Sequence, residues 1–162
     1  AGLFGTLRTR LSLAVLDSCY SGGCARDIVN RPGVMGIFSS EEDLTSLVAE
    51  KFEAGGYLSY FIRSALSGDA DDNGDRIVSA GELATYLRTN FNSPAVGPLE
   101  AETTDGQRNY QNLVIERGGV QVDDVIVRLG AGDNRERSER TNSAPATNAD
   151  LGKMLLRSAV KL

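Results

Sequence analysis

Residues 11 to 24 read Leu-Ser-Leu-Ala-Val-Leu-Asp-Ser-Cys-Tyr-Ser-Gly-Gly-Cys, an apolar run that breaks at an acid, a thiol and a pair of glycines. Leu11, Leu13, Val15 and Leu16 supply the content of a buried strand, and Gly22 and Gly23 permit a tight exit from it. Cys19 then falls at the carboxyl end of a strand, which is where sites in open α/β sheets gather. Two readings of the thiol follow. One is a nucleophile presented at a rim; the other is a small buried hydrophobe, the ordinary role of a cysteine outside a disulfide.

Working outward, residues 33 to 39 read as a second short core strand, and the polar Arg26 to Pro32 between the two reads as a loop. Leu58, Phe61, Ile62, Ala65 and Leu66 recur at helical spacing and stop at Gly68, so they predict a helix whose stripe packs on the core. Glu82, Leu83, Tyr86 and Leu87 begin another helix. Val120, Val122, Val125, Val127 and Leu129 suggest a late strand or hairpin, reached through a connection from Asn90 to Arg117 rich in Gly, Pro, Thr and Asn. Strands alternating with helices predict an α/β domain over residues 1–129.

Beyond it, residues 130–149 are a linker by composition, since Gly, Asn, Ser, Thr, Ala, Arg and Glu show no period of 2 or 3.6 and bury too little to offset ordering entropy. Asp150 then caps an amphipathic helix over 150–162, with Leu151, Met154, Leu155, Ala159 and Leu162 on one face and Lys153, Arg157 and Lys161 largely off it. So short a helix is marginal alone in water, which points to docking on this domain, on a partner chain or on a regulatory partner.

The chain has 162 residues, 18 of them glycine, with five Phe, five Tyr and no Trp. That composition makes a thin core, as expected of a sheet that lacks strands supplied by a partner. Net charge is −5, with the acid concentrated in the middle third. A nucleic-acid binder would carry a basic stripe instead. The acidic face either steers a basic ligand or is simply solvated. No apolar run approaches the ~20 residues of a membrane span, so neither nucleic acid nor membrane is expected as a partner.

Within the acidic third, residues 71 to 82 read Asp-Asp-Asn-Gly-Asp-Arg-Ile-Val-Ser-Ala-Gly-Glu. Numbered from Asp71, oxygen donors fall at one (Asp71), three (Asn73), five (Asp75), nine (Ser79) and twelve (Glu82), with the Ile77 carbonyl at seven and Val78 packing inward at eight. This is the ligand spacing of an EF-hand calcium loop, except that the glycine at six is Arg76. Arg76 must take a positive φ there, or the loop must bend differently. The alternatives are a Ca²⁺ site, structural or regulatory, and a loop held by Asx turns and helix capping.

Asp17-Ser18-Cys19-Tyr20-Ser21-Gly22-Gly23 resembles the nucleophile signature of caspase-like cysteine peptidases, closest to the metacaspases and their bacterial relatives, where the pattern is Asp-x-Cys-[His/Tyr]-Ser-Gly. The likeness continues in order through Gly36-Ile37-Phe38-Ser39-Ser40 and then Gly55-Gly56-Tyr57-Leu58-Ser59-Tyr60-Phe61, which is similar to the Gly-x-Phe-Thr segment that opens the family's next helix. The acidic loop ending Gly81-Glu82-Leu83 completes it. Together these cover about residues 10 to 90. The resemblance implies a caspase-like fold, a central, mostly parallel sheet flanked by helices, here without its N-terminal strands.

It further implies that Cys19 is the catalytic nucleophile, that its backbone N–H helps to stabilise the oxyanion, and that Asp17 lines the primary pocket and selects Arg or Lys. Asp17 lies two residues before Cys19, on the same side of the strand, and can reach the residue whose carbonyl is attacked. Ser39, Ser40, Glu41, Glu42 and Asp43 occupy the region where the family builds the other pocket wall, with one of the three acids as the second carboxylate. A nucleophilic Cys19 implies reduced thiols and a cytoplasmic setting, and leaves Cys24 structural or spare.

The chain departs from the family in one respect: it contains no histidine. A thiol of pKa about 8.5 is only a few per cent thiolate at neutral pH and needs a base. In the family the His ends the preceding strand in a His-Gly motif. The expectation is therefore an autoprocessed or assembled endopeptidase cutting after Arg or Lys, its His carried by a separate N-terminal chain, with no cofactor needed for the chemistry. The alternative is a catalytically inactive caspase-like scaffold or interaction domain.

Overall fold

The computed structural model describes residues 9–45, 56–91, 93 and 100–130. The linker and the C-terminal amphipathic helix read from residues 130–149 and 150–162 lie, apart from Gly130, outside the described residues. The class is α/β. In chain order the elements are β1 (Ser12–Leu16), a 3-10 turn (Ser21–Cys24), α1 (Ala25–Val29), β2 (Val34–Phe38), α2 (Tyr57–Ser64), a π-type turn (Ala65–Asp69), β3 (Ile77–Ser79), α3 (Ala80–Phe91), β4 (Glu100–Glu102), β5 (Arg108–Tyr110), β6 (Val114–Glu116) and β7 (Val125–Arg128).

The main sheet has the order β1-β2-β6. β1 and β2 are parallel, with Ser12 beside Val34 and Leu16 beside Phe38. Parallel strands need a crossover, and the 3-10 turn and α1 supply it. Arg26 to Pro32 is thus not all loop. Ala25–Val29 is helical and buries Ile28, the one apolar side chain in an otherwise polar stretch that finds a partner under the sheet.

β2 is buried along its whole length, as a central strand covered on both faces should be. Its side chains divide with period 2. Met35 and Ile37 enter the main core with Leu58, Phe61, Leu83, Leu87 and Phe91, whereas Val34 and Phe38 face Ile28 in a smaller cluster. Gly36 shares the second face with them, and a β-carbon there would come within 2.6 Å of the Phe38 ring.

On the far side of β2 runs β6, antiparallel, with Ile37 beside Ile115 and Phe38 beside Val114. The described sheet therefore has one parallel and one antiparallel pairing. β6 lies inside the stretch read as connection from Asn90 to Arg117. A strand of three residues carries too little periodicity to be read as one, and it is pairing with β2 that makes it. The same stretch holds the β4–β5 hairpin. β1 is less covered than β2: Ala14 is its one fully buried residue and Val15 is exposed. Among the described residues no strand pairs with its outer edge.

The helical stripe from Leu58 runs as read. Leu58, Phe61 and Ala65 are buried, and Gly68 ends the helix in a left-handed conformation with φ of 115°. Val120 is buried, and only Val125–Arg128 of the late valine-rich segment is a strand, paired with β3. No helix among the described residues is long and apolar enough to cross a membrane.

Because Leu58 is fully buried and Val29 is 50% exposed, the two positions should respond differently to truncation. Leu58→Ala should cost about 2–5 kcal/mol in denaturant unfolding, and Val29→Ala no more than about 0.5 kcal/mol.

Candidate functional site

The parallel register sets the site. With Leu16 beside Phe38, the residues leaving β1 (17–23) and those leaving β2 (39–45) lie side by side at one end of the sheet. The ladder extends past the strands through the Ser39 amide, which donates to the Leu16 carbonyl at 3.1 Å. Cys19 stands in the first of these loops and is exposed, as is Cys24. The reading of Cys19 as a buried hydrophobe is thereby excluded, and Cys24 is not a buried packing residue either.

The turn after Cys19 is made differently from the sequence expectation. Tyr20, not a glycine, takes the left-handed conformation (φ 59°), which a bulky residue adopts only when its surroundings impose it. Its amide donates to the Leu44 carbonyl at 2.9 Å, tying the loop that carries Cys19 to the turn beyond β2. Gly22 is required for a different reason. A β-carbon there would lie 2.6 Å from the Ser40 carbonyl oxygen and 2.9 Å from the Glu41 Cα, so the chain passes β2's exit at a distance only glycine permits.

Ser39 and Ser40 are fully buried and brace the loop. Ser40 Oγ donates to the Ser18 carbonyl at 3.1 Å and accepts the Ser21 amide at 3.3 Å, and the Ser40 amide donates to Ser21 Oγ at 3.4 Å. Ser39 Oγ reaches the same Ser18 carbonyl at 3.4 Å. Buried in this way, the two hydroxyls hold the loop that carries Cys19 and form no exposed pocket wall.

The three acids beyond them have separate fates. Glu41 accepts from Asn112 Nδ2 at 3.0 Å. Glu42 is ion-paired to Arg26 on α1, an exposed pair worth at most about 1 kcal/mol. The Asp43 carboxylate is exposed and has no hydrogen bond or ion pair among the described residues, while its carbonyl accepts from the Thr104 amide at 3.1 Å. The β4–β5 hairpin thus pins this turn, and Thr45 bonds Glu102 in both directions.

Asp17, just past β1, is half-buried and lies against the start of α2. Its Oδ2 accepts from the Ser59 amide at 2.9 Å and from Ser59 Oγ at 2.7 Å. Burial raises the phenol of Tyr57, the first residue of that helix, above its ordinary 10.0, so it is neutral at physiological pH. Ser59, Gln111 and Asn112 are the site residues that sequence reading passed over. Gln111 is buried and donates to the Ser39 carbonyl. The available signal was an amide pair standing directly before the apolar Leu113-Val114-Ile115.

The acidic loop is a separate place, and it is closed by its own backbone. Buried Asp71 accepts from the Gly74 amide at 2.8 Å and the Arg76 amide at 3.2 Å. Asn73 Oδ1 accepts the Asp75 amide and Asp75 Oδ1 the Ile77 amide, each at 2.8 Å. Arg76 has φ of 67°, the strained conformation its position demands, and Val78 is buried as expected. Glu82 Oε2 accepts from the Ser79 amide and hydroxyl, while Ser79 Oγ accepts the Glu82 amide. That is a capping box at the start of α3. Oxygen donors throughout suit a hard cation, but among the described residues no three His, Cys, Asp or Glu side chains are gathered around one point. A groove of about 480 Å³ opens beside the loop, lined in part by Asp69, Asp72, Glu82 and Tyr86, and none of its lining belongs to the Cys19 loop.

No family model matches the chain, and comparison with curated proteins and with solved structures finds no match.

Two substitutions separate these parts of the site. Gly22→Ala should displace the loop that carries Cys19 and lower the melting temperature by several degrees, because backbone at 2.6 Å cannot yield as a side chain does. Ser79→Ala should cost about 0.5–2 kcal/mol through loss of the cap, with the environment of Cys19 unchanged in NMR spectra.

Proposed function

We propose that this chain is the nucleophile-bearing part of a caspase-like cysteine endopeptidase that cleaves after basic residues. The observation that carries the reading is the exposure of Cys19 at the carboxyl end of β1, in a loop braced by buried serines, with the Asp17 carboxylate two residues before it. A nucleophile must be accessible yet held in place, and this loop has both properties.

In the proposed reaction a base takes the Cys19 proton and the thiolate attacks the scissile carbonyl. The protonated base then gives its proton to the leaving amine, and water hydrolyses the thioester to release the acid and the thiol. The base is a His from outside these 162 residues, because the chain has none. The outer edge of β1 has no strand partner among the described residues, and a strand paired there and ending in His-Gly would bring an imidazole to the same rim. Asp17 receives the P1 side chain. A guanidinium or ammonium forms a charge-assisted bond with it, whereas P1 Asp meets like charge. Asp43, the uncommitted acid of its turn, is the candidate for the second carboxylate.

Calcium belongs to the proposal as an ordering ligand of residues 71–82. Asp71, Asn73, Asp75, Ser79, Glu82 and the Ile77 carbonyl would hold it, and they would have to exchange their present backbone and capping bonds for coordination. Millimolar Ca²⁺ should raise the melting temperature, and Asp75→Ala should remove the rise. An unchanged melting curve would leave the loop held by its Asx turns and its cap alone.

Both cysteines are exposed, so selective labelling reports activation and not access. With the His-bearing chain present, an electrophilic peptide ending in Arg should modify Cys19 and spare Cys24, and Cys19→Ala should abolish cleavage without unfolding the protein. Asp17→Asn should lower kcat/KM for Arg substrates by about 30-fold or more, the equivalent of about 2 kcal/mol upward. Equal labelling of both thiols would favour the inert scaffold instead.

A further inference from the structure

Helix α2 begins at Gly56, whose extended backbone (φ −80°, ψ 166°) marks it as the N-cap, yet a glycine has no side chain with which to cap. The Asp17 carboxylate takes that place. A β-carbon on Gly56 would fall 2.1 Å from Asp17 Oδ1 and 2.2 Å from Oδ2, so the carboxylate fills the space an N-cap side chain would occupy. It also makes that side chain's bond, to the amide of Ser59, the third residue of the helix. The Ser59 hydroxyl adds a second donor to the same oxygen.

Two donors saturate Oδ2, while Oδ1 has no hydrogen bond among the described residues. We propose that Gly56 and Ser59 are the positioning residues of the primary specificity pocket. Gly56 leaves the room, and Ser59 fixes the Asp17 carboxylate with Oδ2 bound to the helix and Oδ1 presented to the incoming cationic side chain. The proposal rests on the reading of Asp17 as the acid that receives a basic P1 group. It extends that reading by assigning the Gly-x-x-Ser opening of α2 a part in recognition.

The probe is benzamidine, a rigid mimic of the arginine head group, titrated into the protein assembled with its His-bearing chain and followed through the Asp17 carboxyl carbon and the Ser59 amide by NMR. Benzamidine should shift both signals. Ser59→Ala should weaken its binding about tenfold, the equivalent of one lost charge-assisted hydrogen bond. Ser59→Thr, which keeps the hydroxyl, should restore it.

A merely structural cap would lower the melting temperature of Ser59→Ala but leave benzamidine affinity in the folded protein unchanged. That result, or no binding to the unaltered protein, overturns the proposal. Benzamidine binding with this pattern in a protein that cleaves no Arg peptide would uphold the pocket and count against the peptidase reading alone.

Discussion

Everything at the candidate site depends on one pairing, the parallel alignment of Ser12–Leu16 with Val34–Phe38. Parallel strands end at the same edge, so the segments that leave them must share space. Residues 17–23 and 39–45 are therefore neighbours, although some twenty positions separate them in sequence. β2 is buried from end to end, which fixes its register: a slip of one residue would exchange the faces of Met35 and Ile37 with those of Val34 and Phe38. A fixed β2 then fixes the loop beside it.

The loop is held by polar contacts more than by apolar packing. Ser39, Ser40 and Gln111 are buried hydrogen-bonding groups at the end of the sheet. Buried polar groups are costly unless partnered, and the partners here are the Ser18 and Ser39 carbonyls and the Ser21 amide and hydroxyl. The result is a directional brace, suited to a loop that carries an exposed thiol. The left-handed Tyr20 and the close pass of Gly22 are consequences of the same brace, since the chain must turn within a few residues to stay against β2's exit.

A second organising device is the use of side chains as helix caps. Ser79 and Glu82 cap α3 locally and reciprocally, while α2 takes its cap from Asp17, on a different element. The local box stabilises one turn and the loop before it. The distant cap joins the end of β1 to the start of α2, so the carboxylate two residues before the thiol is held by a helix and not by its own loop alone.

Local signals carried the sequence reading a long way. The apolar run with its break at Asp17 placed β1, the 33–39 run placed β2, the stripe from Leu58 to Gly68 placed α2, and the acid spacing from Asp71 to Glu82 located a turn, with Arg76 forced to positive φ. Each is legible because the signal lies within a dozen residues and follows the period or turn chemistry of one element. What lay beyond reach was whatever one segment does to another. Val114–Glu116 is a strand only because β2 offers it an edge, and Ala25–Val29 is a helix under the sheet only because Ile28 has a place to bury. Ser39 and Ser40 look like site residues in sequence and become supports once Phe38 stands beside Leu16. Ser59 stands in the sequence only as part of a segment that opens a helix, and the approach of Asp17 across 42 positions shows what it holds. The chain by itself determined the pieces and the chemistry they carry; the pairing of β1 with β2 decided which of those groups face solvent and which hold the others in place, because burial and hydrogen-bond partnership are properties of neighbours in space.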